Sequence, residues 1–137
     1  MTLPIPGVYR LTRDVPNPNK DGRSREWNKQ KVFPQYEWVV VKLYGGVPDS
    51  AVEVCKLGGH ISSYIVIHPA TLAPGSAWFE FCEALEPMTG PETIFRNHAG
   101  YPGKRESYGI LIRLMQAGKV SEQDVLDTYK AWMDEGE

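Results

Sequence analysis

Hydrophobic positions in the first half of the chain alternate or run together, and in the second half they recur every three to four residues. In GVYRLT, residues 7–12, Val8, Arg10 and Thr12 face one way and Tyr9 and Leu11 the other, so the alternation is partial. YEWVVVKLY, residues 36–44, is β-branched and aromatic on both faces, which predicts a central strand covered on two sides. GGVPDS then supplies turn chemistry. AVEVCKLGGHISSYIVIHP predicts strands over 51–57 and 60–68 joined at Gly58-Gly59, because glycines accept the positive φ of a type I′ hairpin turn. Pro69 ends the second strand, having no N–H for the ladder. On that strand Ile61, Ser63, Ile65 and Ile67 form the expected core face. His60, Ser62, Tyr64, Val66 and His68 form a wet or partner-facing one.

From residue 73 the period is helical. APGSAWFEFCEALEP offers Ser76 as N-cap and Pro87 as a stop, with Trp78, Phe79, Cys82 and Leu85 on the predicted inner face. TGPETIFRN reads as a short helical turn with Pro91 at its first position. ESYGILIRLMQAGKVSEQDVLDTYKAWMDEGE reads as an αα-hairpin. Ile110, Leu111, Leu114 and Met115 form the stripe of its first helix, and Gly118 follows as C′. Ser121 caps the second helix, with Asp124 in a position like that of a capping box. Val125, Leu126, Tyr129, Trp132 and Met133 form that helix's apolar face.

Strands first and helices second indicate α+β: about four antiparallel strands, then three or four helices ending in the hairpin. The chain of 137 residues is expected to form one domain, mainly β over 7–68 and mainly α over 76–135. The order of strand, long excursion, strand, loop and tight Gly-Gly hairpin over residues 7–68 resembles that of SH3-like small barrels. A small antiparallel sheet or such a barrel is therefore expected. The opening Gly7 and Tyr9-Arg10-Leu11-Thr12, followed by a basic Asn-Pro loop, is similar to small bacteriophage-encoded proteins of uncharacterised function. That resemblance implies a phage accessory or anti-defence factor and transfers no chemistry.

Composition narrows the classes. Hydrophobic and charged fractions of 42% and 23% are those of a globular chain, and no apolar run approaches the roughly 18–20 residues that span a bilayer. MTLPIPGVYR has neither the basic nor the apolar region of a signal peptide, so a cytoplasmic protein without membrane contact is expected. Cys55 and Cys82 lack metal-site spacing and are expected as buried free thiols. The net charge of −2 hides an asymmetry: residues 10–31 carry seven basic side chains against three acids, and residues 121–137 carry six acids against Lys130. Such a layout steers an anionic partner to one end, or pairs the two surfaces with each other.

Catalytic motifs are sparse. His60 and His68 on one extended strand stand roughly 26 Å apart and cannot share an ion, so no metal is expected. His60, Ser62 and Tyr64 form the best candidate for nucleophilic chemistry, without a G-x-S-x-G elbow beside them. The glycine pairs in LYGGVPDS and KLGGHISS have neither Walker nor dinucleotide spacing, so no cofactor is expected. NHAGYPGKRESYG, residues 97–109, reads as a loop running into a helix start. The last helix presents Glu122, Asp124, Asp127, Asp134 and Glu135, which excludes it as a reader of DNA.

The distinctive segment is RLTRDVPNPNKDGRSREWNKQKVFP, residues 10–34. Its charge and Asn-Pro junctions suit an extended loop, while Trp27 and Phe33 need cover and would pin it. Long loops in small domains often carry function. The expected contact residues are Arg13, Lys20, Arg23, Arg25, Trp27, Lys29 and Lys31. Their partner would be a protein or nucleic acid with an acidic surface, and the oligomeric state stays open. A non-enzymatic binding protein acting by stoichiometric occlusion is the first expectation. The alternatives are a small hydrolase or nucleotide-handling enzyme using His60, Ser62 and Tyr64, and a structural subunit docking through the C-terminal hairpin.

Overall fold

The computed structural model describes residues 3–18, 30–44, 51–58, 64–88 and 104–134. Its strands are β1 (Gly7–Leu11), β2 (Val15–Pro16), β3 (Val32–Phe33), β4 (Trp38–Leu43), β5 (Val52–Lys56), β6 (Tyr64–Ile67) and β7 (Leu85–Pro87). Its helices are α1 (Ala77–Glu83), α2 (Lys104–Gln116) and α3 (Glu122–Asp134). The architecture is α+β. Five strands form an antiparallel sheet in the order β6-β5-β4-β1-β7, and β2 and β3 form a separate two-stranded ribbon. Of the two forms anticipated, this is the open sheet: the order is linear, with β6 and β7 at its ends among the described residues.

Both faces of the sheet are covered, as the apolar run 36–44 requires. One face carries Tyr9, Leu11, Val39, Val41, Val52, Val54, Ile65 and Ile67 against Phe33 of the ribbon and Phe81 and Cys82 of α1. The other carries Val8, Trp38, Val40 and Leu57 against Ile110, Leu111 and Leu114 of α2 and Val125 and Trp132 of α3. The period-two alternation of β1, β4 and β5 thus divides the core into two layers. Ile65 and Ile67 are buried, Tyr64 and Val66 half-buried and His68 exposed, in the predicted alternation, but the register is not the one expected: Cys55 pairs with Tyr64, whereas a two-residue turn at Gly58-Gly59 would have paired it with Ser62. Ile61 and Ser63 lie outside the described residues. So do Gly59 and the segment TGPETIFRN.

Three expectations are corrected. Pro87 does not stop a helix: α1 ends at Glu83, and Leu85–Pro87 turns back to pair with the free edge of β1. Proline is tolerated there because an edge strand can spare an N–H. The inner residues of α1 are Phe81 and Cys82 with Trp78 packed beside them, whereas Phe79 is half-buried. On α3, Val125 and Trp132 reach the core, but Leu126, Tyr129 and Met133 stay 49%, 42% and 57% exposed. That helix meets the core along one edge of its apolar face.

The helix ends follow local chemistry. Phe79 N–H donates to Ser76 Oγ at 3.1 Å and Asp124 N–H to Ser121 Oγ at 3.1 Å, so both predicted serines are N-caps. Gly118 has φ 76°, with Lys119 N–H donating to Leu114 O and Gly118 N–H to Met115 O, a Schellman closure of α2. Tyr108 and Tyr129 pack at 4.7 Å between ring centroids and join the hairpin. Ser121→Ala should cost about 1 kcal/mol in chemical unfolding, the usual contribution of an N-cap. An equally stable variant would remove the hydroxyl from the account of where α3 begins.

Candidate functional site

The ribbon fixes the base of the basic segment. Val15 pairs with Phe33 and Pro16 with Val32, and beyond them Asn17 N–H donates to Lys31 O at 2.9 Å and Asn17 Nδ2 to Gln30 O at 2.8 Å. Phe33 is fully buried and meets Phe81 edge-on at 5.7 Å. The predicted pin at Phe33 is therefore present. Arg13 and Lys31 flank the base as exposed cations, Arg13 Nη2 lying 3.5 Å from the Glu80 carbonyl. Lys20, Arg23, Arg25, Trp27 and Lys29 lie outside the described residues. Of the other candidate face, Tyr64 is half-buried on β6, and His60 and Ser62 also lie outside. Among the described residues, no group of three or more His, Cys, Asp or Glu side chains is placed to hold a metal ion, and no helix is long and apolar enough to cross a membrane.

A second constellation, absent from the sequence expectations, begins where the ribbon ends. The turn Pro34–Glu37 closes with Glu37 N–H donating to Pro34 O at 3.2 Å. It is tied to the end of β1 by Tyr36 N–H to Leu11 O, Gln35 Nε2 to Thr12 O and Gln35 N–H to Asp14 Oδ1. Tyr36 occupies the third position with φ 72°, the conformation for which glycine is the usual choice. An L side chain in this region costs roughly 1–2 kcal/mol, which the surrounding bonds must hold.

Arg10 gathers the neighbourhood. Its cross-strand partner is Trp38, and the guanidinium lies 4.5 Å from the Trp38 ring centroid and 5.1 Å from that of Tyr36. Nη1 and Nη2 donate to Asp124 Oδ2 and Oδ1 at 2.7 and 2.9 Å, a bidentate pair, while Nε donates to the Tyr36 carbonyl at 3.1 Å. Asp124 thus spends its carboxylate on Arg10 in addition to donating its N–H to the cap. Among the described residues, this pair links the basic opening to the acidic C-terminal helix.

Between the turn and α3 lies a depression of about 300 Å³, open to solvent, whose lining includes Arg10, Tyr36, Glu37, Asp124, Asp127 and Trp132. Trp38 also lines it; its indole is buried, and its N–H has no hydrogen-bond acceptor among the described residues. Among the described lining residues are the carboxylates of Glu37, Asp124 and Asp127 and the Arg10 guanidinium, of which Asp124 and Arg10 form the bidentate pair. The available sequence signal was a lone arginine at the Val8 parity of β1, on the apolar helix-facing side. Parity alone does not say which carboxylate receives it.

The thiols are chemically quiet. Burial pushes Cys55 up to about 12, helped by Glu53 and opposed by Lys42, and burial pushes Cys82 up to about 11. Neither should react with a thiol reagent at neutral to mildly alkaline pH until denaturant opens the fold; rapid labelling of the native chain would contradict this. The sign for stability follows from linkage. The Cys55 contribution is complete below the ordinary thiol value of 9.0 and is lost as pH rises toward about 12, because only the unfolded chain sheds that proton in between.

No protein-family model, curated protein sequence or solved structure matches the chain.

Proposed function

We propose that this chain is a non-enzymatic binding protein whose basic segment, residues 13–31, covers an acidic surface of its partner and blocks it stoichiometrically. The supporting observation is the ribbon. The cation-rich sequence between Asn17 and Gln30 is bounded by a hydrogen-bonded base whose Phe33 is sealed in the core, with Arg13 and Lys31 exposed beside it. An anchored base limits the ordering entropy that binding must overcome. Within the bacteriophage resemblance, such occlusion would be an accessory or anti-defence activity.

The test reverses charge at Arg23, Arg25 and Lys29 together and measures binding to a fluorescent heparin fragment across a salt series, with thermal unfolding on the same samples. Wild-type affinity should fall as salt rises, and the triple variant should lose binding while melting as wild type does, the behaviour of charges that serve contact and contribute little to stability. Trp27→Ala should lose stability if the indole packs on the fold, and affinity alone if it packs on the partner. A triple variant that binds heparin as wild type does would end the proposal.

A further inference from the structure

Of the large hydrophobic side chains exposed among the described residues, Leu126, Tyr129 and Met133 lie on α3, and no other helix displays one. They recur at i, i+3 and i+7 and so form one stripe, beside the Val125 and Trp132 that reach the core. Tyr129 packs on the half-buried Tyr108 of α2, which widens the apolar surface. A contiguous exposed surface of this kind marks an interface.

Charge decides what covers it. Glu122, Leu126 and Lys130 follow one another at four-residue spacing, one ridge of the helix surface with an anion at one end, a cation at the other and leucine between. Glu122 and Lys130 are exposed, and among the described residues neither has an ion-pair partner. At about 1.5 Å per residue they stand roughly 12 Å apart along the helix, too far to pair with each other. The remaining acids of α3 point elsewhere. Asp124 is bound to Arg10, and Asp127 and Asp134 each directly follow a stripe residue, which turns them roughly 100° away from it. A partner of one sign would match one end of the ridge and be repelled by the other. The same ridge reversed matches both ends.

We infer that the stripe of Leu126, Tyr129 and Met133 is covered by the same stripe of a second copy of this chain, in a two-fold dimer whose axis passes beside Leu126. The two α3 helices cross antiparallel, Leu126 meets its counterpart, and Glu122 of each copy faces Lys130 of the other. Tyr129 and Met133 bound the groove in which the other copy's ridge lies. One helix on each side makes a small interface, so the dimer dissociates on dilution.

Sedimentation equilibrium of the full chain over an about hundred-fold concentration range tests this. Wild type should associate reversibly to a dimer and no further, because a two-fold contact closes on itself. Lys130→Glu and Glu122→Lys should each weaken the dimer by about five- to fifty-fold, since the axis counts every altered pair twice. The double variant carrying both substitutions should regain wild-type association, because the pair is then reversed and again opposite in sign. Leu126→Ser should abolish association, with thermal unfolding on the same sample as the check that the chain is folded. Should that variant unfold, the charge exchange still decides the matter. A chain that stays monomeric throughout, a folded Leu126→Ser variant that dimerises as wild type, or a double variant no tighter than the single ones would overturn the inference.

Discussion

Glu53→Leu should destabilise the fold by about 3–5 kcal/mol, and the double variant Lys42→Met with Glu53→Leu should recover most of that loss. Lys42 and Glu53 face each other in register across β4 and β5, and both are buried, at 2% and 4% exposure. Lys42 Nζ lies 3.8 Å from Glu53 Oε2. Alternation puts both on the sheet face that carries Val40 and Leu57. A counter-charge equally deep offsets part of the cost of burying each charge, and deleting one leaves the other desolvated with that offset gone. Replacing both removes two desolvation costs and keeps apolar volume on the strands. Urea unfolding of the two single variants and the double gives the coupling directly. Cys55 provides a second readout. With Glu53 gone, a cause of its raised thiol value disappears, so its reaction with thiol reagents should begin at lower pH. Additive losses in the double variant would mean that the two charges are held by other partners.

Gly58→Val should cost about 2–5 kcal/mol, combining a backbone cost of roughly 1–2 with overpacking of about 1–3. Gly58 follows β5 with φ 78°, where a β-branched side chain is strained. A Cβ there would also lie 2.6 Å from two atoms of the Trp132 indole. The close approach is held by a second contact, because Gly58 N–H donates to the buried Ser107 Oγ at 2.8 Å and so ties the end of β5 to α2. The two contributions separate in a cycle. In a Trp132→Ala background the clash disappears and the backbone cost remains, so the glycine substitution should become less damaging there. An undiminished penalty would assign the whole effect to the backbone.

Local chemistry in the sequence determined a good deal. The caps at Ser76 and Ser121, the positive φ at Gly58 and Gly118, the two-sided apolar run of β4 and the alternation of β6 each depend on residues within a few positions of one another. The α+β class followed from their order, and the anchoring of the basic segment at Phe33 followed from an aromatic side chain that needed cover. Non-local pairing was a different matter. Nothing within Leu85–Pro87 announces that it will add itself to β1, because a three-residue strand exists only through the edge it finds. The exposure of Leu126, Tyr129 and Met133 depended on how α3 rests on the sheet, which helical periodicity leaves open. The depression depended on tertiary structure most of all. Arg10 and Asp124 are 114 residues apart, and the local sequence of neither names the other as its partner. Only the packing of α3 against β1 brings the carboxylate to the guanidinium, and only the hydrogen bonds to β1 hold the turn at Tyr36 in a conformation its own residues disfavour.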